Sequence, residues 1–296
     1  NFLLRAPKEW QIVGIYHTNT GFLDFLRNHR LTHVRPVQCD LNDEGQVKAL
    51  FQREKYDFTI CLYLAALVNI PLSVKEPSLD HRMNVLSLLN FLKYFRGGKL
   101  IYMSSGAVYD GWEGLVDPSK PLNPTLPYAI SKLTSEQYIK CYRERKATFD
   151  GYVILRFYGA FGPYERSHKI YTKLVKAFYL NHSKEFTIYG DGTNLIDAMY
   201  VDDAIDGLLK VIASERVNLV VDFTKAEPTS IEKLVQNTAE IFGVGPVEIH
   251  KVGTSNERIL WYSSREPMEA LFGFSPQISY RDGILRFAKF LAKEHE

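Results

Sequence analysis

Much that would mark a specialised class of protein is absent from this sequence. The 296 residues include three cysteines whose spacing fits no zinc or CxxC motif, and no apolar run reaches the roughly 18 residues of a transmembrane helix. The net charge of +2 gives no reason to expect nucleic acid as a partner. These absences predict a cytoplasmic protein that binds no metal and no membrane, with Cys39 and Cys61 as buried free thiols.

A glycine-rich phosphate loop is absent as well. Strands and helices alternate from Gln11–Tyr16 to Gly151–Phe157, which predicts βαβ units around a mostly parallel sheet. A doubly wound nucleotide-binding sheet begins with a strand and a glycine-rich turn, but no GxGxxG-like pattern occurs and Asn1–Glu9 is predicted as a helix. We therefore expect the biological chain to start before residue 1, with that strand and loop.

The alternation becomes less regular after Phe157. We predict a Rossmann-like dinucleotide-binding domain at 1–157, N-terminally incomplete, and a smaller α/β substrate lobe at 158–296 from which some segments return to the first domain. The other predicted elements are Gly21–Asn28, His33–Cys39, Asn42–Gln52, Asp57–Leu64, His81–Phe95, Lys99–Ser104, Tyr128–Lys146, Lys169–Leu180, Glu185–Tyr189, Val201–Ala213, Ser230–Phe242, Met268–Gly273 and Tyr280–Ala292.

Two segments carry chemistry: YMSSGAVY at Tyr102–Tyr109 and PYAISK at Pro127–Lys132. Tyr128 and Lys132 are four residues apart in a predicted helix, so their side chains share one face. An ammonium beside a phenol favours the phenolate and lowers the phenol pKa from about 10 toward neutrality. The phenol can then exchange a proton with a substrate oxygen, and Ser105, at the end of a predicted strand, can hydrogen-bond the same oxygen.

Further motifs occur in the order of a known family. They are Asp40-Leu41, Leu64-Ala65-Ala66, Asn84-Val85, LRFYGAFGP at Leu155–Pro163, Tyr189–Gly192 and Tyr200–Asp203. With Ser105, Tyr128 and Lys132, they make the chain resemble the extended short-chain dehydrogenase/reductase family, the NAD-dependent epimerase/dehydratase group that acts on nucleotide sugars. The resemblance covers essentially the whole chain, and it implies an NAD(P)-dependent enzyme with a sugar substrate that is linked to a nucleotide.

The resemblance also implies residue roles. Ser105, Tyr128 and Lys132 are the implied catalytic set. The implied cofactor-binding residues are His17, Thr18, Asn19, Asp40, Leu41, Leu64, Ala65, Ala66, Tyr128, Lys132, Phe157 and Tyr158. The implied substrate-binding residues are Ser105, Gly106, Ala107, Gly159, Arg166, Lys169 and Arg258.

Two departures from the family pattern bear on the reaction and the cofactor. Gly106 and Ala107 stand where family dehydratases carry an Asp-Glu pair, which argues against 4,6-dehydration. The segment after the strand at Gln11–Tyr16 has no acid to hold an adenine-ribose 2′-hydroxyl, as NAD-preferring enzymes usually do. Its polar residues, His17 to Asn19, can accept a 2′-phosphate instead, which slightly favours NADP over NAD.

Two further departures bear on the substrate. Ile196 stands where the family often has a diphosphate-binding arginine, and Gly159 replaces a substrate-contacting asparagine. Arg258 is the nearest candidate for a second family arginine. Substitute cations are available after Pro163, although the same residues are equally typical of the solvated start of a helix; they are Arg166, His168, Lys169 and Lys173.

Three functions remain open from the sequence. The first is an epimerase that oxidises a nucleotide-linked sugar to a transient ketone and then reduces it. The second is an NADPH-dependent 4-keto sugar reductase, and the third is a catalytically silent, cofactor-binding member of the fold. The family resemblance also implies a homodimer whose four-helix interface is formed by His81–Phe95 and Tyr128–Lys146, with Met83, Leu86, Leu89 and Leu92 as the apolar face or, alternatively, as ordinary core.

Overall fold

The computed structural model describes residues 1–53, 58–254 and 258–295. It confirms the predicted α/β class, with Rossmann-like alternation of strands and helices and mostly parallel strand pairs. The chain forms two compact units. The first contains Asn1–Ser104, Leu126–Leu155 and Val211–Val220, and the second contains Ser105–Thr125, Arg156–Lys210 and Val221–Glu296.

The first unit holds most of the predicted nucleotide-binding elements. Its strands are β1 (Ile12–Tyr16), β2 (Val34–Gln38), β3 (Ile60–Tyr63) and most of β4 (Lys99–Ser105) and of β6 (Gly151–Phe157). Its helices are α1 (Phe2–Arg5), α2 (Gly21–Asn28), α3 (Glu44–Arg53), α4 (Ile70–Lys75), α5 (Pro77–His81), α6 (Ser87–Tyr94) and α7 (Pro127–Lys146). A π-helical turn, Arg82–Leu86, joins α5 to α6.

Parallel pairing organises this unit. Strand β1 pairs with β2, and β3 pairs with β4 so that Tyr63 lies opposite Tyr102. Strands β4 and β6 are neighbours in a four-stranded sheet with the order β11-β6-β4-β3, where β11 is Leu219–Phe223. Buried aromatic and aliphatic side chains from β4, β6 and the helices pack into one core, and its largest fully buried members are Tyr102, Phe95, Leu88, Leu92, Leu100, Ile139 and Ile154.

The second unit is built from short strand pairs and helices. Its remaining strands are β5 (Glu113–Leu115), β7 (Ala160–Phe161), β8 (Glu185–Tyr189), β9 (Leu195–Ile196), β10 (Met199–Tyr200), β12 (Thr229–Ser230), β13 (Glu248–Val252) and β14 (Leu260–Tyr262). Its helices are α8 (Ile170–Leu174), α9 (Val201–Ala213, which ends in the first unit), α10 (Ile231–Ile241), α11 (Glu266–Phe272) and α12 (Tyr280–His295). Strands β9 and β12 pair antiparallel, whereas β8 with β13 and β7 with β10 pair parallel.

A separate core supports the second unit. Phe161 stacks on Tyr171 with ring centroids 4.4 Å apart, and Phe178, Leu234 and Phe287 pack in the same cluster. Asp203, in the first turn of α9, accepts backbone hydrogen bonds from residues 277 and 278 and so holds the chain that leads into α12. Each unit therefore has its own hydrophobic core.

Several predicted boundaries needed correction. The helix predicted over Asn1–Glu9 covers only α1, because Pro7 lacks the N–H that would continue it. The helix predicted at His81–Phe95 begins four residues earlier, at Pro77, and contains the π-helical turn. In the second unit β8 was predicted with its observed bounds, whereas β11 and the other short strands were not. Asp57, predicted to start a strand, lies outside the described residues.

The three cysteines are free thiols, with Cys39 buried, Cys61 half-buried and Cys141 exposed. Burial raises the pKa of the Cys61 thiol to about 12, so this thiol stays protonated near neutral pH. Among the described residues, no helix has both the length and the apolar character needed to cross a bilayer.

Candidate functional site

The predicted tyrosine and lysine meet in the first unit, on the first turns of α7. Leu126 is extended and Pro127 opens the helix, and the Tyr128 backbone N–H donates to Ser73 Oγ at 3.3 Å. Both side chains are buried, and Lys132 Nζ lies 5.9 Å from the centroid of the Tyr128 ring. The four-residue spacing thus places the ammonium within cation–π distance of the phenol.

Contacts to strand β4 fix the position of the Lys132 ammonium. Nζ donates to the Met103 carbonyl at 2.9 Å and to the Tyr102 hydroxyl at 3.4 Å, and it lies 4.9 Å from the centroid of the Tyr102 ring. The sequence analysis gave Tyr102 no role. Its place in β4, two residues before Ser104, was the available indication, because alternate residues of a strand face the same side and Ser104 also contacts α7.

Burial dominates the electrostatics of this lysine. Desolvation lowers the Lys132 pKa from 10.5 to about 8, and the nearby carboxylates of Asp80 and Glu136 partly oppose that change. Glu136 is itself buried and accepts a hydrogen bond from Ser104 Oγ at 2.6 Å. At pH 7 the lysine is thus still largely charged, but the charge is poorly solvated, which is typical of functional sites.

The loop after β3 is held by Asn84. Its side-chain amide accepts from the Leu67 N–H at 2.8 Å, donates to the Leu67 carbonyl at 3.1 Å and donates to Asp80 at 2.8 Å. Leu64 and Ala65 of this loop are exposed and Ala66 is half-buried. Hydrogen bonds from Asn84 therefore fix the backbone next to the predicted cofactor-binding segment Leu64–Ala66, while the side chains of that segment stay accessible.

Two predicted cofactor residues also lie together at the carboxyl ends of β1 and β2. His17 Nε2 is 3.7 Å from the Asp40 carboxylate, and both side chains are partly exposed. Asn19 accepts a hydrogen bond from the Gly21 N–H at the start of α2. Leu41 packs into the first-unit core, and its carbonyl accepts from Asn90. The donor and acceptor groups on this edge fit an adenosine moiety, which needs polar partners beside an apolar face.

The second unit holds Ser105 and the residues that follow it. Ser105 is the last residue of β4, and its hydroxyl accepts from the Ala107 N–H at 3.1 Å, which caps a 3₁₀ turn over Gly106–Tyr109. A side chain at Gly106 would meet the Tyr158 ring, because a Cβ there would lie 3.1 Å from ring carbons Cε2 and Cζ. The space beside Gly106 is occupied by a phenol rather than by a carboxylate.

A buried polar network lies in the same unit. Tyr109 Oη donates to the Asp222 carboxylate, 3.0 Å from each oxygen, and Ser263 Oγ donates to it at 2.6 Å. Arg156 Nη1 in turn donates to Tyr109 Oη at 2.9 Å. Sequence reasoning missed Asp222, Tyr109 and Ser263, although Arg156 and Tyr109 both stand in the quoted motifs.

The predicted substrate-binding residues differ in conformation, in exposure and in their partners. Gly159 has φ 134°, a conformation that an asparagine adopts only with strain, so the backbone accounts for this departure from the family pattern. Arg258 pairs with Glu113 at 3.0 Å, and both side chains are largely exposed. The cations after Pro163 are exposed around the start of α8, and they are Arg166, His168, Lys169 and Lys173.

A cleft of about 260 Å³ in the second unit lies beside Ile196. Lys225 and Lys233 line it, and the buried Lys225 ammonium pairs with Glu227 at 2.8 Å. Asp197 holds the loop that carries this pair, because it accepts from the Thr224 hydroxyl and from the N–H groups of residues 226 and 227. Burial raises the Asp197 pKa. Lys225 and Lys233 were not predicted. Their position after β11 would have indicated them, but β11 was not predicted either.

Comparisons with known proteins identify the family of this chain. The sequence pattern of the NAD dependent epimerase/dehydratase family matches residues 2–221. The chain is 28% identical over 260 residues to the dTDP-D-glucose 4,6-dehydratase of Homo sapiens, covering 84% of this chain and 72% of that protein. It is 24% identical over 302 residues to the UDP-glucuronate 4-epimerase of Thermodesulfobacterium geofontis, covering 96% and 89%.

A solved structure shows the same fold. The UDP-glucuronic acid 4-epimerase of Bacillus cereus, in complex with UDP-glucuronic acid and NAD, superposes with a TM-score of 0.85 at 22% identity and covers 99% of this chain and 95% of its own. The chain belongs to the NAD-dependent epimerase/dehydratase family. It is therefore an NAD(P)-dependent enzyme of the extended short-chain dehydrogenase/reductase type, as its motifs predicted.

Proposed function

We propose that the protein is an epimerase of a nucleotide-linked sugar that works through a transient ketone. The observation that carries the proposal is the buried Tyr128–Lys132 pair, whose ammonium is fixed by the Met103 carbonyl. The dehydratase acids are absent at Gly106 and Ala107, and the Tyr158 ring fills the space beside Gly106. Proton transfer at a single oxygen is therefore better supported than elimination of water.

The roles in the reaction follow from the chemistry of the side chains. Tyr128 takes the proton of a sugar hydroxyl as the carbon-bound hydrogen leaves as hydride, which gives a ketone, and it returns the proton when hydride is added to the opposite face. Lys132 stabilises the phenolate by its charge. Ser105 hydrogen-bonds the reacting oxygen. A nicotinamide cofactor held beside Tyr128 and Lys132 would supply a reversible hydride acceptor, so that the reaction would consume no net reductant.

The proposed cofactor is NAD. The sequence alone slightly favoured NADP, because His17 to Asn19 can accept a 2′-phosphate. However, the His17 imidazole faces the Asp40 carboxylate at 3.7 Å, and a dianionic phosphate placed there would meet a like charge. Denaturing the purified enzyme and identifying the released dinucleotide by mass tests this; released NADP would contradict it. Asp40, Leu41 and the loop at Leu64–Ala66 are proposed to hold the adenosine half, with Phe157, Tyr128 and Lys132 at the nicotinamide end.

The proposed diphosphate site uses lysines in place of the missing arginine. Lys225 and Lys233 line the cleft beside Ile196, and only Lys225 is paired with a carboxylate in the cleft lining. Lysine is an effective point charge for phosphate. Replacing Lys233 with methionine is expected to weaken binding of UDP as well as of UDP-sugars in calorimetry, because both ligands carry the diphosphate. The exposed Lys184, which does not line the cleft, serves as the matched control when changed to methionine.

A single incubation separates the epimerase from its rivals. Full-length enzyme is mixed with candidate nucleotide sugars and no added reductant, and products are resolved by NMR. An epimerase interconverts the C4 epimers, whereas a 4-keto reductase is inactive until NADPH and a keto sugar are supplied. A catalytically silent member of the fold would do neither.

A homodimer through α5–α6 and α7 is also proposed. Leu92 belongs to the core and cannot serve the interface, but Leu86 is 42% exposed, and Ile130 on α7 is 45% exposed. Exposed apolar side chains on both elements are consistent with a covered surface. Light scattering at micromolar concentration is expected to give twice the chain mass, and Leu86→Glu to give the monomer. The cytoplasmic location remains a prediction.

A further inference from the structure

A buried phenol in the second unit is not used by the roles described so far. The Tyr158 hydroxyl oxygen is buried, and within residues 1–53, 58–254 and 258–295 it has no hydrogen-bond partner. Leaving a buried donor unpaired is costly, and native proteins rarely do so without a ligand or a bound water. The hydroxyl is therefore a candidate for contact with a molecule that the folded chain binds.

The position of this hydroxyl is fixed by two contacts. The Tyr158 backbone N–H donates to the Phe223 carbonyl at 3.1 Å, which ties the residue to the end of β11. The ring lies against Gly106, whose added Cβ would be 3.1 Å from Cζ, the carbon that bears the hydroxyl. The phenol oxygen is therefore held beside the residue that directly follows Ser105.

Ser263 is the neighbour whose hydroxyl acts on the Tyr158 phenol and lowers its pKa, but Ser263 donates its own proton to Asp222 at 2.6 Å and makes no hydrogen bond of normal geometry with Tyr158. The Asp222 carboxylate accepts hydrogen bonds from Tyr109 and Ser263. Burial and then the charge of Asp222 raise the Tyr158 pKa above its ordinary value. The phenol stays protonated across the physiological range and offers a donor that the protein itself does not use.

We infer that the Tyr158 hydroxyl donates a hydrogen bond to an oxygen of the substrate sugar and so helps to position that sugar beside Ser105. This inference rests on the proposed function, and it changes the expected role of Tyr158 from cofactor binding to substrate binding. It also explains why position 106 is glycine, because any larger side chain would displace the ring that carries the donor.

The test compares two tyrosine variants, because both hydroxyls lie in the second unit and only one has partners. Tyr158→Phe is expected to leave the thermal unfolding temperature of the ligand-free protein unchanged or higher, since no protein hydrogen bond is lost. Tyr109→Phe is expected to lower that temperature, since it removes the bonds to Asp222. A purely structural role for Tyr158 would give both variants the same direction of change.

Binding measurements then distinguish a contact with the sugar from a contact with the nucleotide. By calorimetry, Tyr158→Phe is expected to bind UDP-glucose about 3- to 10-fold more weakly than wild type, the loss of one net hydrogen bond, and to bind UDP equally well. If wild type binds UDP-glucose and Tyr158→Phe binds it with equal affinity, the inference is overturned while the proposed function stands. If wild type binds and converts no nucleotide sugar, the proposed function fails, and this inference falls with it.

Discussion

The two units treat a buried charge in opposite ways. In the first, the Lys132 ammonium donates to the Met103 carbonyl and, at 3.4 Å, to the Tyr102 hydroxyl, it lies near two aromatic rings, and its pKa falls to about 8. In the second, the Asp222 carboxylate receives hydrogen bonds on both oxygens from Tyr109 and Ser263. A charge that the protein leaves poorly solvated is available to act on a neighbouring group, whereas a fully bonded charge stabilises the fold.

Removing the poorly solvated charge of Lys132 is expected to give the largest effect and tests this contrast most directly. Lys132→Met is expected to abolish turnover, with a loss of at least about 10²–10⁴-fold, because the phenolate loses its counter-charge. The same change is expected to raise the free energy of unfolding of the cofactor-free protein at pH 7. Lowering a lysine pKa from 10.5 to about 8 corresponds to about 3 kcal/mol, from which the lost bond to Met103 subtracts.

The pH dependence of stability gives Lys132→Met a second readout. Between pH 8 and 10.5 the folded lysine has lost its proton and the unfolded lysine has kept it, so the unfolded chain binds more protons and the wild-type unfolding free energy rises with pH. The variant should lack this rise. Denaturant titrations at pH 7, 8, 9 and 10 measure it, and parallel wild-type and variant curves would contradict the burial of a charged lysine.

Tyr128→Phe separates chemistry from stability at the same pair. The ring and its packing remain, and only the titratable oxygen is removed, so turnover should fall by roughly 10²–10⁴-fold. Released cofactor and unfolding temperature should match wild type. Tyr102→Phe is the matched control for loss of a phenol beside Lys132. Near wild-type turnover in Tyr128→Phe would show that this tyrosine is not the acid–base group.

The fully bonded charge should respond with the opposite sign. Asp222→Asn is expected to lower the free energy of unfolding by about 1–3 kcal/mol, since an amide cannot accept all the hydrogen bonds that reach the carboxylate. Chemical denaturation of Asp222→Asn and Lys132→Met side by side measures the contrast. A stabilised Asp222→Asn would mean that the carboxylate is as strained as the lysine, and the distinction between the units would fail.

The same comparison shows what the sequence could and could not reveal. The Tyr128–Lys132 pair, β6 and α9 were predictable because local periodicity and a four-residue spacing determine them. Asp222 and Ser263 were not, because their hydrogen-bond partners lie far away in the chain, by 113 residues for Tyr109 and Asp222 and by 41 residues for Ser263 and Asp222. Two-residue strands such as β9 and β12 carry too few residues to show an alternation.

Ser105→Ala should give the smallest effect on turnover of the substitutions considered. Serine supplies a hydrogen bond and no charge, so its removal is expected to lower kcat/KM by about 10-fold, which equals about 1.4 kcal/mol of transition-state stabilisation. Its hydroxyl also accepts from the Ala107 N–H at 3.1 Å, so part of any loss can come from the 3₁₀ turn rather than from the substrate. Ser105→Thr separates the two contributions because it retains an oxygen that can cap the turn. If threonine restores the unfolding temperature and the rate together, a hydroxyl at this position is sufficient for both the turn and the reaction. If it restores the unfolding temperature alone, the position of the hydroxyl toward the sugar matters, and Ser105 acts on the sugar rather than through the turn.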